Sequence, residues 1–107
     1  MVPENIRKEI DSISNQIIEK YRPQKIILFG SAAKDRFTPD SDLDFFIIKE
    51  EVPYLGRDRY RELSRMIERD AAVDFIIYKP EEFNDWYAAG DPFLKAVVEE
   101  GKVLYET

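Results

Sequence analysis

Three aspartates sit in two apolar runs, Asp42-Leu43-Asp44-Phe45-Phe46-Ile47-Ile48 and Val73-Asp74-Phe75-Ile76-Ile77-Tyr78, and a Gly-Ser pair closes an earlier run, Ile26-Ile27-Leu28-Phe29-Gly30-Ser31. A carboxylate inside an apolar strand is costly unless something pairs with it. Three such groups that can converge on one point read as a divalent-metal site for phosphate chemistry. Strand alternation puts Asp42 and Asp44 on one face, about 7 Å apart, with Leu43 and Phe45 on the other. Asp74, on a neighbouring strand, completes the cluster if its face matches.

At around 4 Å and an effective dielectric near 20, each carboxylate pair repels by about 4 kcal/mol. Without a cation, at least one of the three should therefore hold its proton to an unusually high pH. Magnesium relieves the repulsion and leaves coordination sites for phosphate oxygens; two such ions can serve the attacking and the leaving oxygen. Gly30-Ser31 supplies the other half, because a strand that ends in Gly and turns into a helix lets backbone N–H groups approach a phosphate. A P-loop is excluded, since no Gly-Lys-Ser or Gly-Lys-Thr follows. The spacing of Asp40, Asp42, Asp44 and Glu51 imitates a calcium-binding EF-hand loop, but the required Gly is replaced by Phe45 in an apolar run.

The elements that must hold these groups follow from periodicity. Ile6, Ile10, Ile13, Ile17 and Ile18 recur at helical spacing, predicting a helix over residues 3–21 that Pro23 ends. Residues 25–29 read as a buried strand, 31–35 as a short helix, and 36–41 as a loop of turn formers. A second strand is expected over 43–49, and an amphipathic helix over 58–69 with Leu63, Met66 and Ile67 inward. A third strand covers 73–78, stopped by Pro80. Helices follow over 81–87 and 93–100, the second with its end marked by Gly101 as a C′ residue, and residues 103–105 suggest a last short strand. Strands alternating with helices give an α/β (α+β) class: a small mixed sheet with helices packed on it, in one domain spanning 1–107.

Composition narrows the chemistry further. The 107 residues contain no Cys and no His, which removes thiolate nucleophiles, disulfides and the usual neutral-pH acid–base group. No run is long enough to span a membrane and the start does not resemble a signal peptide, so a cytoplasmic location is expected. A net charge of −6 argues against direct nucleic-acid binding. The basic cluster Arg57-Asp58-Arg59-Tyr60-Arg61 reads as a solvated helix face. Phe83, Trp86, Tyr87 and Phe93 read as core or interface rather than a base-stacking platform.

Gly30-Ser31, ten residues from Ala32 to Ser41, then Asp42-Leu43-Asp44 resemble the Gly-Ser-x10-Asp-x-Asp signature of the polymerase-beta nucleotidyltransferase superfamily. The short length and the Thr38-Pro39-Asp40-Ser41-Asp42-Leu43-Asp44 wording resemble its minimal nucleotidyltransferases. The resemblance implies a polymerase-beta-like fold, with Gly30 and Ser31 binding the nucleotide triphosphate. It implies further that Asp42, Asp44 and Asp74 ligate two magnesium ions, Asp74 also activating the acceptor hydroxyl. Relatives often continue Gly-Ser with Arg-Ala-Arg-Gly; here Ala32-Ala33-Lys34-Asp35 stands, and Lys34 could replace one phosphate-binding charge. The implied reaction is transfer of AMP from ATP to a hydroxyl, a Tyr of a HEPN-type toxin partner, with the chain as antitoxin in a homo- or hetero-oligomer. The alternative is a non-catalytic antitoxin or scaffold that masks its partner by contact.

Overall fold

The computed structural model describes residues 2–107. The chain runs α1 (Glu4–Tyr21), β1 (Lys25–Phe29), a 3₁₀ turn (Gly30–Ala32), β2 (Leu43–Ile48), α2 (Gly56–Ser64), β3 (Val73–Tyr78), α3 (Pro80–Ala88), α4 (Pro92–Glu100) and β4 (Lys102–Glu106). The four strands form one sheet in the order β3-β2-β1-β4. β1 pairs antiparallel with both β2 and β4. β2 and β3 run parallel, because α2 carries the chain back to the starting end between them. The mixed sheet with packed helices is the expected architecture.

The pleat divides the core. Ile26, Leu28, Leu43, Phe45, Ile47, Phe75 and Ile77 turn to one side and pack with Ile10, Ile13 and Ile17 of α1 and Leu63 of α2. Ile27, Phe46 and Ile48 turn to the other side, against Leu94 and Val97 of α4 with Phe83 of α3 beside them. The isoleucine spacing read in α1 thus marks its buried stripe.

Terminal chemistry fixes the helix ends. Pro80 and Pro92 both occupy the first turn of their helices, where a missing N–H costs nothing. Asp91 caps α4 by accepting from the Leu94 amide at 2.9 Å. α2 stops at Ser64, earlier than the periodicity over 58–69 suggests. Arg69 folds back so that its guanidinium donates to the carbonyls of Ser64 and Ile67 (3.1 and 3.0 Å), satisfying the chain end there. Met66 consequently lies on the surface, 36% exposed, whereas Leu63 and Ile67 are buried as expected. Gly101 directly follows α4, as expected, with an extended backbone (φ −76°, ψ 164°). Its missing side chain matters for room, since a Cβ there would meet the Val97 carbonyl and approach Ile27 Cγ2 to 2.5 Å.

Candidate active site

β1 ends where β2 and β3 begin, and the register aligns the three ends. Phe29 lies opposite Asp44 across the antiparallel pair, and Asp44 lies opposite Asp74 across the parallel pair. Neighbouring strands are about 4.8 Å apart, so the two aspartates stand side by side. Alternation turns both away from Leu43, Phe45 and Phe75, toward the α3–α4 side of the sheet. Asp42 directly precedes β2. It is delivered by a turn in which the Ser41 amide donates to the Thr38 carbonyl (2.9 Å) and the Thr38 amide donates to Ser41 Oγ (3.0 Å).

Burial is unequal among the three. Asp42 and Asp74 are exposed and only Asp44 is half-buried, so the cost of desolvation falls on one carboxylate rather than three. Its pKa rises to about 6, first because burial disfavours the charged form and then because Asp74 and Asp42 repel it. The predicted elevated carboxylate is therefore Asp44. Among the described residues, no three carboxylates close on a common point as their side chains stand. Asp42 and Asp74 are exposed and both lie near enough to Asp44 to repel its charge. An all-oxygen set with uncompensated negative charge suits a hard cation such as magnesium.

Gly30 shapes the opposite wall. Its backbone is left-handed (φ 73°), and a Cβ there would collide with Asp44 Oδ2 and lie 3.2 Å from Asp44 Cγ. Both facts require glycine at this position. The segment after it is shorter than the helix expected over 31–35: one 3₁₀ turn, then a left-handed Asp35 (φ 61°). The Ala33 amide donates to the Gly30 carbonyl (3.2 Å), and the Lys34 and Arg36 amides donate to that of Ser31 (3.2 and 2.9 Å). The carbonyls are thus engaged, while the first amides of such a turn have no partner within it.

Lys34 is exposed, and its ammonium pairs with Glu100 at 3.1 Å. Ala32 is 1% exposed and belongs to the core with α1.

One charged group is buried against expectation. Arg59, read as part of a solvated face, is 5% exposed. Its guanidinium donates to both oxygens of Glu82 (2.7 and 3.0 Å) and to the carbonyls of Pro53, Tyr54 and Ile77. The hydrogen bonds with Glu82 hold the guanidinium pKa above its usual value and the carboxyl below its own. Position 59 lies four residues before Leu63, hence on the buried face of α2, and that spacing was a readable signal. The aromatic residues of α3 and α4 are not deep core: Trp86 is 58% exposed, and Tyr87 and Phe93 are also open to solvent.

A family model described as "Nucleotidyltransferase domain" matches residues 10–105. "Putative protein adenylyltransferase MJ0604" of Methanocaldococcus jannaschii is 34% identical over 94% of this chain and 99% of its own length. A second protein of that organism, "Putative protein adenylyltransferase MJ1379", is 31% identical over 77% of this chain and 76% of its own. The crystal structure of a nucleotidyltransferase described as putative, from Sulfolobus solfataricus, has the same fold. It covers 99% of this chain and 90% of that one, with a TM-score of 0.64 and 18% identity. No helix among the described residues is long and apolar enough to cross a membrane.

Proposed function

The chain belongs to the nucleotidyltransferase domain family, and on that premise we propose that it transfers AMP from ATP to a hydroxyl, a tyrosine of a HEPN-type partner protein for which it serves as antitoxin. The observation that carries the reading is the row at the sheet corner: Gly30 pressed on Asp44, and Asp44 in register with Asp74. Gly30 and Ser31 bind the triphosphate through backbone amides and the Ser31 hydroxyl. Asp42, Asp44 and Asp74 hold magnesium. When bound, the ions neutralise phosphate charge and polarise the oxygens that attack and leave.

The acceptor hydroxyl approaches on the Asp74 side. Its oxygen forms a bond to the α-phosphorus and its proton passes to the Asp74 carboxylate. The bond from the α-phosphorus to the bridging oxygen breaks, and pyrophosphate departs with that electron pair. A protein acceptor draws support from the two relatives, whose names both carry protein adenylyltransferase.

Incubation with α-labelled ATP, magnesium and the product of the neighbouring gene should label that partner. Asp42→Asn combined with Asp44→Asn should abolish labelling, because neutral amides hold magnesium poorly. Persistent transfer by the double variant would overturn the mechanism. A purely masking antitoxin is the second reading, favoured by one observation: Lys34 is occupied by Glu100 rather than free for phosphate. Under that reading the double variant still neutralises its partner in cells.

A further inference from the structure

A cleft of about 410 Å³ runs beside β3, lined by residues 74–78 together with Tyr54, Arg59, Tyr60, Glu82 and Trp86. Five consecutive strand residues cannot all face a cleft that lies over one side of a sheet, because alternate side chains turn to opposite faces. The cleft therefore follows the outer edge of the strand, where β3 has no neighbouring strand among the described residues.

The hydrogen-bond ladder says which backbone groups face it. The Leu43 amide donates to the Ala72 carbonyl at 2.9 Å and the Lys49 amide to the Tyr78 carbonyl at 3.0 Å. With the parallel register between these ends, alternation commits the even-numbered backbone groups of β3 to β2 and turns those of Val73, Phe75 and Ile77 outward. The Ile77 carbonyl does point that way, since it accepts from Arg59 Nη1 at 3.0 Å. Arg59 closes one end of the edge, and Asp74 stands at the other.

We infer that this edge is the acceptor site: an extended polypeptide segment adds as a fifth strand along β3, between Tyr54 and Tyr60 on one side and Trp86 on the other. It brings a hydroxyl-bearing side chain to Asp74. The inference rests on the nucleotidyl-transfer reading and specifies its substrate as polypeptide in extended conformation. Outward N–H and C=O groups at strand spacing are complementary to another backbone, which a small hydroxylic molecule lacks.

Order along the sheet supports the assignment. Gly30, Asp44, Asp74 and the cleft succeed one another, so nucleotide and acceptor flank the carboxylates from opposite sides, as in-line displacement requires. Charge selects the segment further. Glu82 is already neutralised by Arg59, so Asp74 is the uncompensated charge lining the cleft; with −6 on the chain overall, lysine and arginine next to the acceptor residue are favoured. Tyr54, 91% exposed, and Trp86 offer aromatic faces to such cations.

The probe is a capped pentapeptide, Lys-Val-Tyr-Val-Lys, with two analogues, one N-methylated at the tyrosine and one at both valines. N-acetyltyrosinamide serves as the small-molecule control. Transfer from α-labelled ATP is followed as kcat and KM, with ATP binding measured separately by titration. The pentapeptide should be labelled in preference to the amide. One N-methylated analogue, the one that loses the amides facing β3, should fall at least about tenfold while the other does not. Trp86→Ala should raise the peptide KM about tenfold with kcat kept. If ATP binds but the pentapeptide is not labelled, the edge site falls and nucleotide use stands; if ATP does not bind, both fall. Equal labelling of pentapeptide and amide, or equal effects of the two N-methylations, also overturns strand addition.

Discussion

Asp44→Asn should make the metal-free protein more stable at neutral pH while removing its activity. Burial and two neighbouring carboxylates raise the Asp44 pKa from 3.8 to about 6. Two pKa units correspond to about 3 kcal/mol between the protonated and ionised forms. Asp44 is only partly buried, so solvent screening reduces this to about 1.5 kcal/mol. The sign follows from proton counting. Between about pH 4 and 6 the folded chain keeps a proton on Asp44 that the unfolded chain has released, so stability falls as pH rises through that window. Above it the penalty is complete, and an uncharged Asn escapes it.

The assay is thermal unfolding in a chelator at pH 4 and pH 7.5. For a domain near this size 1 kcal/mol is worth roughly 4–8 °C, so the variant should melt about 6–12 °C above the parent at pH 7.5 and within a degree or two of it at pH 4. Magnesium added at pH 7.5 should raise the parent's midpoint by mass action and the variant's by less. A variant that melts at or below the parent at pH 7.5 would refute the account of Asp44 as an uncompensated charge.

Three further substitutions test other parts of the structure. Gly30→Ala should destabilise by at least about 1–2 kcal/mol from the left-handed backbone alone, with a further penalty from the collision with Asp44 Oδ2, and should abolish transfer; chemical denaturation and the labelling assay read the two effects. Glu82→Ala leaves the Arg59 guanidinium buried without its carboxylate and should cost about 2 kcal/mol in a urea titration, less than a fully buried pair because Glu82 is partly solvated. Because the Glu82 pKa is lowered, its contribution is present above the ordinary carboxylate range and lost as pH falls, so the parent–variant gap should shrink in acid. Tyr21→Phe removes a buried hydroxyl that has no hydrogen-bond partner among the described residues; stability should stay level or rise by up to about 1 kcal/mol, and a loss greater than that would show a bond to the hydroxyl.

The carboxylates were legible because their cost is local: Asp44 in an apolar run needs only its neighbours in sequence to look anomalous. The isoleucine stripe of α1 and the turn formers at 38–41 were legible for the same reason. What failed depends on contacts far apart in the chain. Nothing within 58–69 says that α1 will hold the segment after Ser64, Gln16 bonding the Glu68 backbone and Lys20 the Met66 carbonyl, with the Met66 side chain left outside. Arg59 looked solvated because its partner Glu82 lies 23 residues away. Gly101 was assigned a backbone role by its position after a helix, whereas the reason for glycine is Ile27 and the Val97 carbonyl pressing on it. The parallel pairing of β2 with β3 was likewise not fixed by element order, yet it is what aligns Asp44 with Asp74.

That pairing explains why the site can exist at this corner. The α2 crossover returns the chain so that β2 and β3 start together, and one register step in either direction would turn Asp74 toward the α1–α2 core. Leu43, directly before Asp44, and Phe75, directly after Asp74, are buried in that core, so slippage would exchange apolar burial for a buried charge. The same hydrophobic residues that stabilise the sheet thus hold the carboxylates in register on the other face. Of the three, only Asp44 gives up water, and it does so against a glycine that admits no side chain between them. A more stable protein would place an apolar residue at 44. Keeping an unfavourable charge there, on a strand whose register is otherwise fixed by hydrophobic packing, is the pattern of a site that holds stability below its optimum for the sake of chemistry.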